Sequence, residues 1–180
     1  MVCWLSSITI KTKPNILIGA LPKDVLDNGN EAVYWDNVVS YVFKMYSEQI
    51  GRDVLDCAVV DGEKFSSERV GHIPVIRDVY EGDVLVYFDP DTGDGTMFIL
   101  SKAYDRNTRF EIQLPFEALT ITEVTELWTK NRTVINSYKR PNKVAPVQIG
   151  IDNDLTVING KLSVIAKPVS LIRIDFHAEN

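Results

Sequence analysis

Residues 154–165 read D-L-T-V-I-N-G-K-L-S-V-I, and no other stretch of the chain restricts its fold so tightly. Asn159-Gly160 is the dipeptide of a two-residue type I′ turn, in which both central residues need positive φ. Strands folded about that turn pair Leu155 with Val164 and Val157 with Leu162 on one face, and Thr156 with Ser163 on the other. A slip of one residue would move every apolar side chain to the wrong face, so turn and burial demand the same register. The hairpin therefore carries an apolar face, Leu155, Val157, Leu162 and Val164, that something must cover.

The 180-residue chain offers several covering elements. Trp35, Val38, Val39, Val42, Phe43, Tyr46 and Ile50 recur at three- and four-residue steps, which predicts an amphipathic helix with Asn30 at its N-cap and Gly51 beyond its C-terminus. Thr120 and Glu123 have the spacing of a capping box, and Val124, Leu127, Trp128, Ile135 and Tyr138 extend a second helix from about Ile121 toward Pro141. Between the two, Val84–Phe88, Thr96–Tyr104 and Arg109–Leu114 read as a three-stranded antiparallel meander, with Glu63–His72 a polar surface loop. The expected fold class is α+β: an antiparallel β-meander core packed by one strong amphipathic helix and a second helix, ending in a C-terminal β-hairpin and meander. Residues 1–140 form the mixed main domain in this reading. Residues 147–180 form a C-terminal β segment too small to fold alone, which packs on the main domain or on a partner chain.

Net charge is −6, which disfavours general binding to nucleic acid or to an anionic membrane. No apolar run approaches the roughly 20 residues that span a bilayer. The opening M-V-C-W-L-S-S-I-T-I has no basic segment before it and leads into Lys11 and Lys13, so a first strand is expected rather than a signal peptide. Cys3 and Cys57 sit in no metal-ligand spacing and read as reduced thiols.

Side chains with chemistry are few. Asp89, Asp91 and Asp94 lie in a glycine-containing loop and are candidate ligands for a hard cation. Counted from Asp89 as an EF-hand loop, the sixth and twelfth positions hold Asp94 and Leu100 rather than glycine and glutamate, so a hairpin connection is the simpler reading. Ser66, Ser67 and His72 share a loop without forming a recognisable nucleophile–base pattern, and no catalytic residue or cofactor is assigned. Lys130, Arg132, Lys139, Arg140 and Lys143 form a basic stretch with no acid between Leu127 and Ile151. That stretch is, in order, a solvated helix face with its aromatics turned into the core, a contact for an acidic protein partner, or a contact for nucleic acid, with Trp128 and Tyr138 nearby as anchoring or stacking groups.

The segment 154–164 resembles the hairpin repeats of fibre and head-decoration proteins of viruses and tailed phages. The resemblance implies a non-catalytic structural or assembly protein, forming a homo-oligomer or docking on virion proteins and residing in the virion or the cytoplasm. Leu155, Val157, Leu162 and Val164 would then meet the partner, together with Lys139, Arg140 and Lys143. The alternative expectation is a small ligand- or metal-binding α+β domain, or an enzyme, with its site where loops 61–72 and 89–95 converge.

Overall fold

The computed structural model describes residues 18–21, 33–116, 118–137, 139–150, 155–158 and 160–179. Its elements are β1 (Ile18–Leu21), β2 (Val33–Asp36), α1 (Val38–Ser47), β3 (Asp53–Leu55), β4 (Lys64–Ser67), β5 (Ile76–Tyr80), β6 (Gly82–Phe88) and β7 (Asp94–Ser101). They continue with β8 (Thr108–Gln113), β9 (Ala118–Leu127), β10 (Val147–Gln148), β11 (Leu155–Ile158), β12 (Lys161–Ala166) and β13 (Ser170–Glu179). Antiparallel strands dominate, with one short helix among the described residues.

The hairpin forms in the expected register: Leu155 faces Val164, Thr156 faces Ser163 and Val157 faces Leu162, with Gly160 at φ 70°. β12 pairs on its other side with β8, giving a three-stranded sheet ordered β11-β12-β8. The larger sheet runs β10-β9-β13-β7-β6-β3. Leu162 and Val164, 1% and 2% exposed, pack with Val86, Met97, Ile99, Ile172, Ile174 and Phe176 of that sheet. The chain itself thus covers the apolar face of β12, and each such side chain contributes about 1.5–3 kcal/mol by burial. Two glycines make room for aromatic rings, Gly82 between the layers and Gly95 within the larger sheet. The Phe110 ring lies where a side chain on Gly82 would stand, and the Phe176 ring does the same at Gly95.

The other face of the six-stranded sheet is partly covered by α1. Met45, with Val38, Tyr41, Val42 and Tyr46, packs on Phe98, Leu127 and Leu171, and Tyr46 stacks on Phe98 at 4.1 Å. The main core lies between two sheets, so the α+β expectation of a helix-packed meander gives way to a β-sandwich. The helix is also shorter than expected. Trp35 belongs to β2, the helix begins at Val38 after the Asn37 cap, and Val39 and Phe43 of the apolar stripe are exposed. The N-cap position expected at Asn30 lies outside the described residues.

The start of the expected second helix, to Leu127, belongs to strand β9, and Trp128 and Ile135 lie in the connection after it, with Tyr138 outside the described residues; β9 also carries a bulge. Glu123 pairs with Asp175 and Ile121 with Phe176, leaving Thr122 without a counterpart. The extra residue turns the two-residue alternation of Leu119 and Ile121 into a three-residue step to Val124, while all three stay on the core face. A helical spacing thus arises within a strand. The meander also departs from expectation. β6 and β7 are a hairpin, but β8 crosses to the smaller sheet, and β13 lies between β9 and β7 in the larger one. Residues 64–67 form β4, paired with β5, rather than a loop.

Candidate functional site

At one side of the sandwich the edge strands of both sheets, β3 and β8, bound a cleft of about 1400 Å³. Its walls are the connection 55–63, the start of β6 and the whole of β8, with Tyr80, Asn107 and Gln113 among the polar lining groups. Arg106 organises its mouth. Its guanidinium binds the carboxylates of Glu63 and Glu81, the latter at 2.7 Å, while the Glu81 amide donates to the Glu63 carbonyl at 2.9 Å. Lys102 pairs with Asp83 at 2.7 Å, and its amide donates to the Glu81 carbonyl. Lys64 stands over the Tyr80 ring at 4.5 Å.

A mixed wall of this kind, with amides, carboxylates and aromatic faces together, suits a polyhydroxylated ligand better than a purely apolar one. Glu63 and Glu81 both accept from the Arg106 guanidinium, which holds the two carboxylates together at the mouth of the cleft.

The residues singled out from sequence lie elsewhere. Asp89 Oδ1 accepts from the amides of Asp91 and Thr92 at 3.0 and 3.4 Å, which makes the loop a side-chain-capped turn. Asp94 turns away to His177 Nδ1 at 3.0 Å, an interaction that holds its carboxyl below the ordinary range. Among the described residues no group of three or more His, Cys, Asp or Glu side chains can hold a metal ion. The 89–95 loop sits at the far end of β6 from Gly82, roughly 20 Å along the strand, so it does not meet the 61–63 segment at the cleft. Ser66 Oγ accepts from the Asp78 amide at 3.2 Å, and His72 lies exposed near the turn that joins β4 to β5. Leu162 and Val164 are buried in their own core and Val157 packs against it, so these three are not a free surface. For Leu155 the structure describes the backbone pairing only. Lys139, Arg140 and Lys143 are exposed on the loop that follows β9. Tyr80, Glu81 and Arg106 escaped the sequence reading because Glu81-Gly82-Asp83 has the signature of a turn and nothing in the order of residues brings Arg106 to it.

No protein-family model and no curated protein matches the chain by sequence. Its fold, however, is found in solved structures. One is AbfB, a family 51 α-L-arabinofuranosidase from Bifidobacterium longum, with TM-score 0.66 and 18% identity over 84% of this chain and 27% of that one. Another is an α-L-arabinofuranosidase from Thermotoga maritima in complex with arabinose, with TM-score 0.67 and 15% identity over 79% of this chain and 29% of that one. A third arabinofuranosidase aligns with TM-score 0.68 and 14% identity over 81% and 30%. The chain thus spans less than a third of the length of the structures it matches. These neighbours overturn the resemblance to phage and viral fibre or head-decoration proteins, and with it the virion structural role. That resemblance rested on a dozen residues of hairpin, and a type I′ turn between alternating strands serves any antiparallel sheet.

Proposed function

We propose that this chain is a carbohydrate-binding β-sandwich domain of the glycoside-hydrolase type, which engages arabinose-containing glycans through the β3–β8 cleft. The observation that carries the reading is the shared fold: about four fifths of the chain superposes on less than a third of each arabinofuranosidase. The domain acts by holding glycan rather than by cleaving it. Glu63 and Glu81 of the cleft are both joined to Arg106, which supports a structural role for them. Lys64 stands over one face of the Tyr80 ring, so its other face and its hydroxyl are the groups expected to meet a sugar.

Affinity electrophoresis in gels containing arabinan tests the reading. The native chain should be retarded, Tyr80→Ala should migrate nearly as it does without polysaccharide, and p-nitrophenyl α-L-arabinofuranoside should not be hydrolysed. A native chain that migrates alike with and without arabinan would refute glycan binding, and turnover of the arabinofuranoside would replace the domain reading with an enzyme.

A further inference from the structure

The basic stretch after β9 is a built loop, and its construction gives it a role of its own. Asn136, 4% exposed, fastens the two ends of the loop together. Its Nδ2 donates to the Val144 carbonyl at 2.7 Å and to the Asp36 carbonyl at 2.9 Å, and its Oδ1 accepts from the Val144 amide at 2.7 Å. Ser137 and Arg140 exchange backbone hydrogen bonds at 3.2 and 2.9 Å, and Tyr41 of α1 donates from its hydroxyl to Asn142 Oδ1 at 3.2 Å. Between these fixed ends stand Lys139, Arg140 and Lys143, all exposed and, among the described residues, none ion-paired with a carboxylate. Lys130 and Arg132 precede them in the same connection and are equally without an acidic partner there. Among the other described cations Lys44, Lys102, Arg106, Lys161, Lys167 and Arg173 pair with carboxylates, whereas these stand exposed on a pinned scaffold.

We propose that the loop from Asn136 to Val144 binds an acidic polysaccharide, with Lys139, Arg140 and Lys143 meeting the carboxylates of neighbouring uronate residues. The inference rests on the carbohydrate reading above and names a second, anionic class of glycan for the same domain. A guanidinium takes a carboxylate in bidentate fashion, and ammonium groups beside it match separate point charges. Nucleic acid shares the polyanionic charge, and the net charge of −6 opposes both; the carbohydrate reading above favours the polysaccharide, and a DNA duplex is the competing ligand in the test.

Isothermal titration calorimetry with a defined oligogalacturonate decides the matter, run on the native chain and on Lys139→Ala/Arg140→Ala/Lys143→Ala. The native chain should bind, binding should weaken with salt, and the triple variant should bind about tenfold less tightly with an unchanged melting temperature. The charge-preserving Lys139→Arg/Arg140→Lys variant should keep most of the affinity. Absence of binding by the native chain, equal affinity in the triple variant, or tighter binding of a DNA duplex than of oligogalacturonate would each overturn the proposal. Neutral arabinan in a parallel titration separates the two readings. Oligogalacturonate binding without arabinan binding upholds the loop and refutes the cleft, and the reverse refutes the loop alone.

Discussion

The loops 89–95 and 136–144 are opposites in charge, and the fold treats their charges in opposite ways. In the acidic loop two of the charges have structural partners: Asp89 caps two amides of the loop, and Asp94 pairs with His177 on the neighbouring strand β13. In the basic loop a neutral residue does the structural work. Asn136 fastens the ends, and the cations point outward with nothing described beside them. A run of charge in a sequence therefore marks a site only when something else holds the backbone in place. Three aspartates look more like a site on paper than two lysines and an arginine, yet Asp89 and Asp94 are tied to the loop's own amides and to His177.

The comparison breaks most visibly at Asn136. Asn136→Ala would leave the buried Val144 amide and carbonyl unsatisfied, and urea unfolding should show a loss of about 3 kcal/mol. A loss under about 1 kcal/mol would mean that the basic loop is not pinned as described. On the acidic side the most sensitive backbone position is Gly93, at φ 78°, where an added Cβ would lie 2.7 Å from the Ala178 carbonyl oxygen. Gly93→Ala should cost about 2 kcal/mol, read from the same unfolding curves.

Removing charge sharpens the contrast. Asp89→Ala takes away a turn cap and should cost about 1 kcal/mol, whereas Lys139→Ala, Arg140→Ala and Lys143→Ala should each stay within about 0.5 kcal/mol of the native chain. Matched losses on the two sides would erase the distinction. The smallest effect is in pH. Hydrogen bonding to His177 lowers the carboxyl of Asp94 in the folded chain, so its contribution is complete above the unfolded value near 3.8 and is lost as pH falls through the lowered one. Melting temperatures of the native chain and Asp94→Asn should therefore converge below about pH 4, and differ most above it.

Much of the local structure was legible in the sequence. The 155–164 register was readable because the turn dipeptide and the apolar alternation agree, and both are local. Strand β9 was not, because Val124 and Leu127 serve opposite, covered faces of the larger sheet, and that three-residue step reads as helical when neither core is in view. The destination of β8 was hidden for a related reason. Its alternation of Phe110 and Ile112 against Glu111 and Gln113 specifies a half-buried strand without saying which sheet receives it. The cleft was least legible of all. Glu63, Tyr80, Glu81 and Arg106 come from three segments, and no spacing in the chain joins them.

The central claim is that the β3–β8 cleft receives glycan. Amide chemical-shift mapping of the labelled chain with an arabino-oligosaccharide tests it most directly. The account predicts shifts confined to the cleft, at Gly62, Tyr80, Gly82, Asn107 and Gln113, with the 89–95 loop unmoved. Shifts centred on Asp89–Gly95, or none at saturating sugar, would contradict it.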